Sequence, residues 1–330
     1  NDWAGACDCD KCKALLKKTG SQSGVLVTFV NSVAEEIEKQ YPNILVETLA
    51  YQYTRDMPLS IKPRKNVLIR LCSIECDFAH PITNQNNKPF YKDLQDWSKV
   101  ANHLYVADYV VNFSNLLLPH PNIQVIGNNI RTFAANNVEG VFEEGDAYNP
   151  DANFASLKTW IISKLLWNPK LDEHILINKF LKGYYGPAAP YITEYLNILE
   201  NLTKDQHLYL GCFAGKPSYF SFESLDSANR AFVKAKNAVK DNPEILKRVK
   251  LQEMALQNLL ILTKRQFAAQ NIALERIDWK NIADDFLKLA DESGNIYRGE
   301  GLKMSNEYRS LLKISAQEQT LELPARCTSL

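Results

Sequence analysis

Nothing in this sequence offers a phosphate cradle. No glycine-rich loop follows any of its strand-like segments, which removes the commonest reason for a nucleotide-binding doubly wound sheet. Charge is in balance, with Lys+Arg and Asp+Glu each at 38, so neither nucleic acid nor an anionic membrane surface is an expected partner. Apolar residues never run for about 18 consecutive positions, which leaves no transmembrane helix. The opening residues, Asn1-Asp2-Trp3-Ala4-Gly5, have neither the basic nor the apolar segment of a signal peptide and begin abruptly, as though a longer chain preceded them. Cysteines are odd in number, 7 in 330 residues, which does not suit a disulfide-stapled scaffold.

The thiols that are present cluster. Cys7-Asp8-Cys9-Asp10-Lys11-Cys12 and Cys72-x-x-x-Cys76, followed by His80, have spacings that fit a structural zinc held by Cys7, Cys9, Cys12 and Cys76 or His80. A disulfide between the two groups, or plain reduced thiols, fits the same spacing equally well.

Apolar periodicity predicts an alternation of helices and strands. Val25, Phe29, Val30, Val33, Ala34 and Ile37 recur at helical spacing over Ser21 to Gln40, with a serine to cap and Tyr41-Pro42-Asn43 to stop. Strands are expected at Ile44 to Tyr53, Asn66 to Ser73, His103 to Phe113 and Val138 to Glu144. Helices are expected between them at Phe90 to Asn102 and Asn122 to Asn136, and after them at Phe154 to Trp167. Mostly apolar strands in this order predict a parallel sheet buried on both faces. Half of an eight-fold barrel fits best, with its first strands upstream of Asn1. From residue 171 the pattern turns helical, and Pro243 to Ala269 is apolar enough to be the centre of a bundle. The expected organisation is residues 1–170 as the C-terminal part of a (β/α)8 barrel and 171–330 as an α-helical domain, a candidate surface for homo-oligomers.

The strand at Val138 to Glu144 ends in acid. Glu143, Glu144 and Asp146 arrive within four positions. Parallel α/β proteins place their chemistry at the C-terminal ends of strands. Asp108 ends the preceding strand, and Tyr51, Tyr53 and Tyr109 stand at strand ends too. Aromatics with paired carboxylates suit a sugar: the rings stack on a pyranose, and the acids protonate the glycosidic oxygen and activate water or attack the anomeric carbon. Glu143 and Glu144 fall on opposite sides of their strand, and period alone does not say which side is inward. Asn112 and Asn115 could bond sugar hydroxyls, and Arg55 and Arg70 could meet a uronate carboxylate. Each also has a plainer structural role: core tyrosines, a solvated acidic rim and surface ion pairs.

Gly5-x-Cys7-x-Cys9-x-x-Cys12, Phe29-Val30-Asn31-x-Val33-Ala34, Leu49-Ala50-Tyr51, Asp108-Tyr109-Val110-x-Asn112-Phe113, Gly140-Val141-Phe142-Glu143-x-Gly145 and Leu165-Leu166-Trp167-Asn168-Pro169 with Tyr184-Tyr185-Gly186 give the chain a family look. From Asn1 to about Leu199 it resembles bacterial proteins with the domain of unknown function 4838. Their barrel is similar to those of family 20 hexosaminidases and α-glucuronidases. The resemblance implies a periplasmic or secreted glycoside hydrolase whose substrate is an oligo- or polysaccharide and whose catalysis needs no cofactor. It places Asn1-Asp2 at the end of the fourth barrel strand, with Asp2 as a candidate acid and Asn1 as a sugar binder. Hexosaminidases want two carboxylates there, so Asn1 departs from their pattern. Among the strand-seven and strand-eight acids, the resembling motif favours Glu143, with Glu144 and Asp108 beside it. The alternative is a carbohydrate-binding protein on a glycosidase-like barrel.

Overall fold

The computed structural model describes residues 5–269 and 277–317, apart from 206, 216 and 280. Asn1 and Asp2, both candidate site residues, lie outside the described residues. The chain divides into two compact units. One comprises Asn1–Val110, Val125–Glu144 and Leu165–Lys170; the other comprises Val111–Gln124, Gly145–Lys164 and Leu171–Leu330.

The first unit is built on a four-stranded sheet in sequential order: β1 (Val46–Ala50), β2 (Val67–Cys72), β3 (His103–Tyr109) and β4 (Gly140–Glu144). All three pairings are parallel, as the alternating pattern predicts. Helices precede and link the strands: α1 (Asp10–Thr19), α2 (Gln22–Gln40), α3 (Lys88–Trp97) and α4 (Ile123–Ala135). The Ser21 hydroxyl caps α2 by accepting from the Gly24 N–H at 3.1 Å. Strands in sequential order, joined by crossovers of one hand, put the linking helices on one face of the sheet.

Side-chain alternation sorts the sheet into two faces. Val67, Ile69, Leu71, Leu104 and Val106 share the face covered by helices, and none is more than 1% exposed. Glu47, Leu49, Arg70, Tyr105 and Phe142 share the other, where Leu49 is 39% and Phe142 49% exposed. On this open face Arg70 pairs with Glu47 at 2.7 Å and lies over the Phe142 ring, 5.6 Å from its centroid. Gly140 sits opposite Tyr105; a Cβ there would come within 2.6 Å of the Tyr105 ring.

Two strands stop earlier than their apolar runs. β1 ends at Ala50 because Gln52 adopts φ 49 and a 3-10 turn, Gln52–Thr54, begins. β3 ends at Tyr109 rather than Phe113, where the chain passes into the second unit.

The second unit is helical. It contains most of α5 (Ala155–Trp167), then α6 (Glu173–Tyr185), α7 (Ala189–Leu202), α8 (Phe222–Ala238), α9 (Pro243–Ala269) and α10 (Ile282–Ser293). A short hairpin of β5 (Tyr297–Gly299) and β6 (Leu302–Lys303) precedes α11 (Asn306–Gln317). As its apolar pattern requires, α9 is central: it packs against α6, α8, α10 and α11, and Val249, Met254, Leu256 and Leu259 are fully buried. Asn153 and Phe154 both take positive φ, a costly conformation for a bulky residue. Gln252 of α9 holds the turn, accepting from the Phe154 N–H at 2.7 Å and donating to Asp151 at 3.2 Å. No helix among the described residues is long and apolar enough to cross a membrane.

Candidate functional site

The C-terminal ends of the four strands gather most of the candidate residues. Asp108 and Glu143 are direct partners in the β3–β4 register, on the helix-covered face. Asp108 is buried, and the Ser73 hydroxyl donates to its Oδ1. Ser73 stands one residue beyond β2, and its N–H also bonds the Ala107 carbonyl at 3.0 Å, which fixes it beside β3. Burial pushes the Asp108 carboxyl up to about 6, against the pull of hydrogen bonds from Ser73 and the Tyr109 N–H. Glu143 is raised well above the usual carboxylate range, first by burial and then by the charge of Asp108. Its Oε2 is closed off from solvent and accepts no hydrogen bond. The two carboxyls thus stand on neighbouring strands, and both hold a proton more tightly than a free carboxyl does.

Glu144 alternates to the open face, in register with Tyr109. The Tyr109 hydroxyl hydrogen-bonds the Cys72 sulfur, and its ring meets Phe78 edge-on with centroids 6.3 Å apart. Burial pushes the Cys72 thiol up to about 11. Tyr109 is thus packed into the strand end. Tyr51 and Tyr53 are half-buried or more exposed and, with Leu26, Thr48, Leu49 and Thr54, line a cavity of about 340 Å³ at the end of β1. The Thr54 hydroxyl bonds the Tyr51 carbonyl at 3.0 Å, so the strained turn at Gln52 orients both tyrosines.

Other candidates are placed elsewhere. Asn112 belongs to the helical unit, where its Nδ2 donates to the Ala214 carbonyl at 2.9 Å and its Oδ1 accepts from the Ser114 and Asn115 N–H groups. Its polar atoms hold a turn. Both arginines are paired with carboxylates: Arg70 with Glu47, and Arg55 with Asp93 at 2.7 Å and Glu75 at 2.8 Å. Of the four proposed metal ligands, Cys7, Cys9 and Cys12 converge, their sulfurs within 4.8 Å of one another. Cys76 is not a member of that cluster; its thiol is buried near Asp108 and held well above its ordinary value by that burial.

Two arrangements escape the sequence patterns. Asp77 accepts from His80 Nδ1 at 2.5 Å, with both side chains buried, while Asn86 donates to the same carboxylate at 2.7 Å. The ring proton is therefore assigned to Nδ1, and Nε2 is left as a buried acceptor with no hydrogen-bond partner. Asn87, from the turn before α3, braces the loop by donating to three carbonyls. A histidine three residues from an aspartate is a weak signal; the asparagines that secure it are visible only once the loop is folded. In the helical unit, burial lowers Lys158 to about 7, and His120 and His174 line a cavity of about 160 Å³ with Glu200.

The model of a domain of unknown function, DUF4838, matches residues 1–197. The chain belongs to this family. The DUF4838 match spans the whole described sheet, both carboxylate positions of β4 and the helices through most of α7. No curated protein and no solved structure matches the chain.

Proposed function

We propose that this DUF4838 protein is a carbohydrate-active protein of bacterial periplasmic or secreted type, a glycoside hydrolase whose sheet is the C-terminal half of a (β/α)8 barrel. The observation that carries the reading is the Asp108–Glu143 pair. Two carboxyls at the C-terminal ends of adjacent parallel strands, with their proton affinities pushed up and apart, are what acid–base cleavage of a glycoside requires. The open face supports the barrel: a parallel sheet leaving Leu49 and Phe142 to water is half of a layer that further strands would close.

In this mechanism Glu143 is the acid. Its proton passes to the glycosidic oxygen as the bond from that oxygen to the anomeric carbon breaks. Asp108, or Glu144 on the open face, takes a proton from the water that attacks that carbon, or attacks it directly. Tyr51 and Tyr53 supply the stacking wall beside the cavity; Asp2 and Asn1, outside the described residues, are further candidates that rest on the family resemblance alone. The second reading, a sugar-binding protein without turnover, is favoured by one observation: Asp108 and Glu143 lie on the helix-covered face, and Glu143 Oε2 has no contact with solvent.

A panel of aryl glycosides and oligosaccharides, tested beside Glu143→Gln and Glu144→Gln, decides between them. Loss of about 10²–10⁴ in kcat for Glu143→Gln alone supports the mechanism as written. The same loss for Glu144→Gln alone moves the acid to the open face. No turnover on any sugar, with sugars raising the melting temperature, supports the binding protein.

A further inference from the structure

The three thiols at the start of the described chain take no part in that chemistry. A free cysteine usually behaves as a small hydrophobe and is buried. Cys72, Cys76 and Cys212 follow that rule, whereas Cys7 and Cys9 are exposed and Cys12 half-buried. Burial therefore does not explain why their three sulfurs converge on one point. Cys9 is also the N-cap residue of α1, where unpaired backbone N–H groups favour an anion. Three thiolates within 4.8 Å of one another repel unless a cation joins them.

We propose that Cys7, Cys9 and Cys12 form a zinc site, three thiolate ligands on one ion with the fourth position open to water. Zinc–sulfur bonds of about 2.3 Å set tetrahedral ligand sulfurs about 3.8 Å apart, so the present span of up to 4.8 Å closes by small rotations of exposed side chains. The ion would clamp residues 5–9 onto the first turn of α1. That segment is not idle: the Gly5 carbonyl accepts from the Tyr53 hydroxyl at 3.5 Å, and Tyr53 lines the cavity at the end of β1. The zinc is a clamp beside the candidate site and stands independently of the glycosidase reading.

The test is metal content. The full chain, purified reduced, loaded with zinc and desalted, should retain about one zinc ion per chain, and the C7S/C9S/C12S variant close to none. Cobalt added to the wild-type apoprotein should give an intense thiolate-to-cobalt charge-transfer band, a readout that needs no variant. Zinc should raise the melting temperature of the wild type and leave the variant unmoved. The proposal fails if the wild type keeps no zinc and shows no cobalt band, or if the variant keeps as much zinc as the wild type. It fails also if peptide mapping of the unreduced protein finds two of these thiols joined as a disulfide.

Discussion

One sheet has two different surfaces. On the covered face, Val67, Ile69, Leu71, Leu104 and Val106 are sealed in an apolar layer with the buried Asp108, and Glu143 lies half-buried at its edge. On the open face, Glu47, Arg70, Tyr105 and Phe142 form a thin layer of ion pair and rings with water beyond. The covered face is a protein interior, where deleted volume and buried charge are both costly. The open face is mixed: Leu68, Cys72 and Ala107 are buried on it, while Leu49 and Phe142 are exposed.

The sharpest way to break the contrast is to delete volume on both sides. Leu71→Ala should lower unfolding free energy by about 2–5 kcal/mol, while Leu49→Ala should cost less than about 1 kcal/mol; urea denaturation measures both. Equal losses would mean that the two faces are equally packed.

Acid tests the carboxylates on the covered face. Both have raised folded values, so the folded protein holds more protons than the unfolded chain above pH about 4. Their contribution is complete below that pH; that of Asp108 is lost as pH rises through about 6, and that of Glu143 falls in the same direction as pH rises. Glu143→Gln should flatten this decline and raise stability at pH 7, read from denaturation midpoints across pH 4 to 8. A variant less stable at pH 7 would show that the carboxylate is well solvated or paired.

A smaller effect probes the open face. Gly140→Ala brings a methyl within 2.6 Å of the half-buried Tyr105 ring, which has to shift to admit it. The expected cost is about 1 kcal/mol or less, abolished in the Tyr105→Ala background. A cost above about 2 kcal/mol would mean the ring is pinned.

How much of this was legible before folding depends on range. Local signals were sufficient for α2, where Ser21, the apolar spacing and Tyr41-Pro42 mark both ends, and for the parallel order of β1 to β4. They did not mark α1: its lysine-rich face is weakly periodic, although Gly20, left-handed and bonding back to Leu16, was a readable stop. The β5–β6 hairpin is too short to alternate, and α11 went unread beside it. The side on which Glu143 and Glu144 fall was not legible at all. Alternation separates them, but only the helices' position says which one lies on the covered face. The Asp77–His80 pair needed Asn86 and Asn87 to be brought back by a turn, which no spacing rule anticipates.

The chain passes between its two units at Val110–Val111, Gln124–Val125, Glu144–Gly145, Lys164–Leu165 and Lys170–Leu171. On a ribosome this imposes a schedule. The sheet unit has all its residues once Lys170 has emerged, whereas Val111–Gln124 and Gly145–Lys164 must wait for partners not yet synthesised. Those waiting stretches carry Leu116, Leu117, Leu118, Phe154, Leu157 and Ile161, all buried at the end. Until the residues after Lys170 follow, these apolar stretches have no core of their own unit to join.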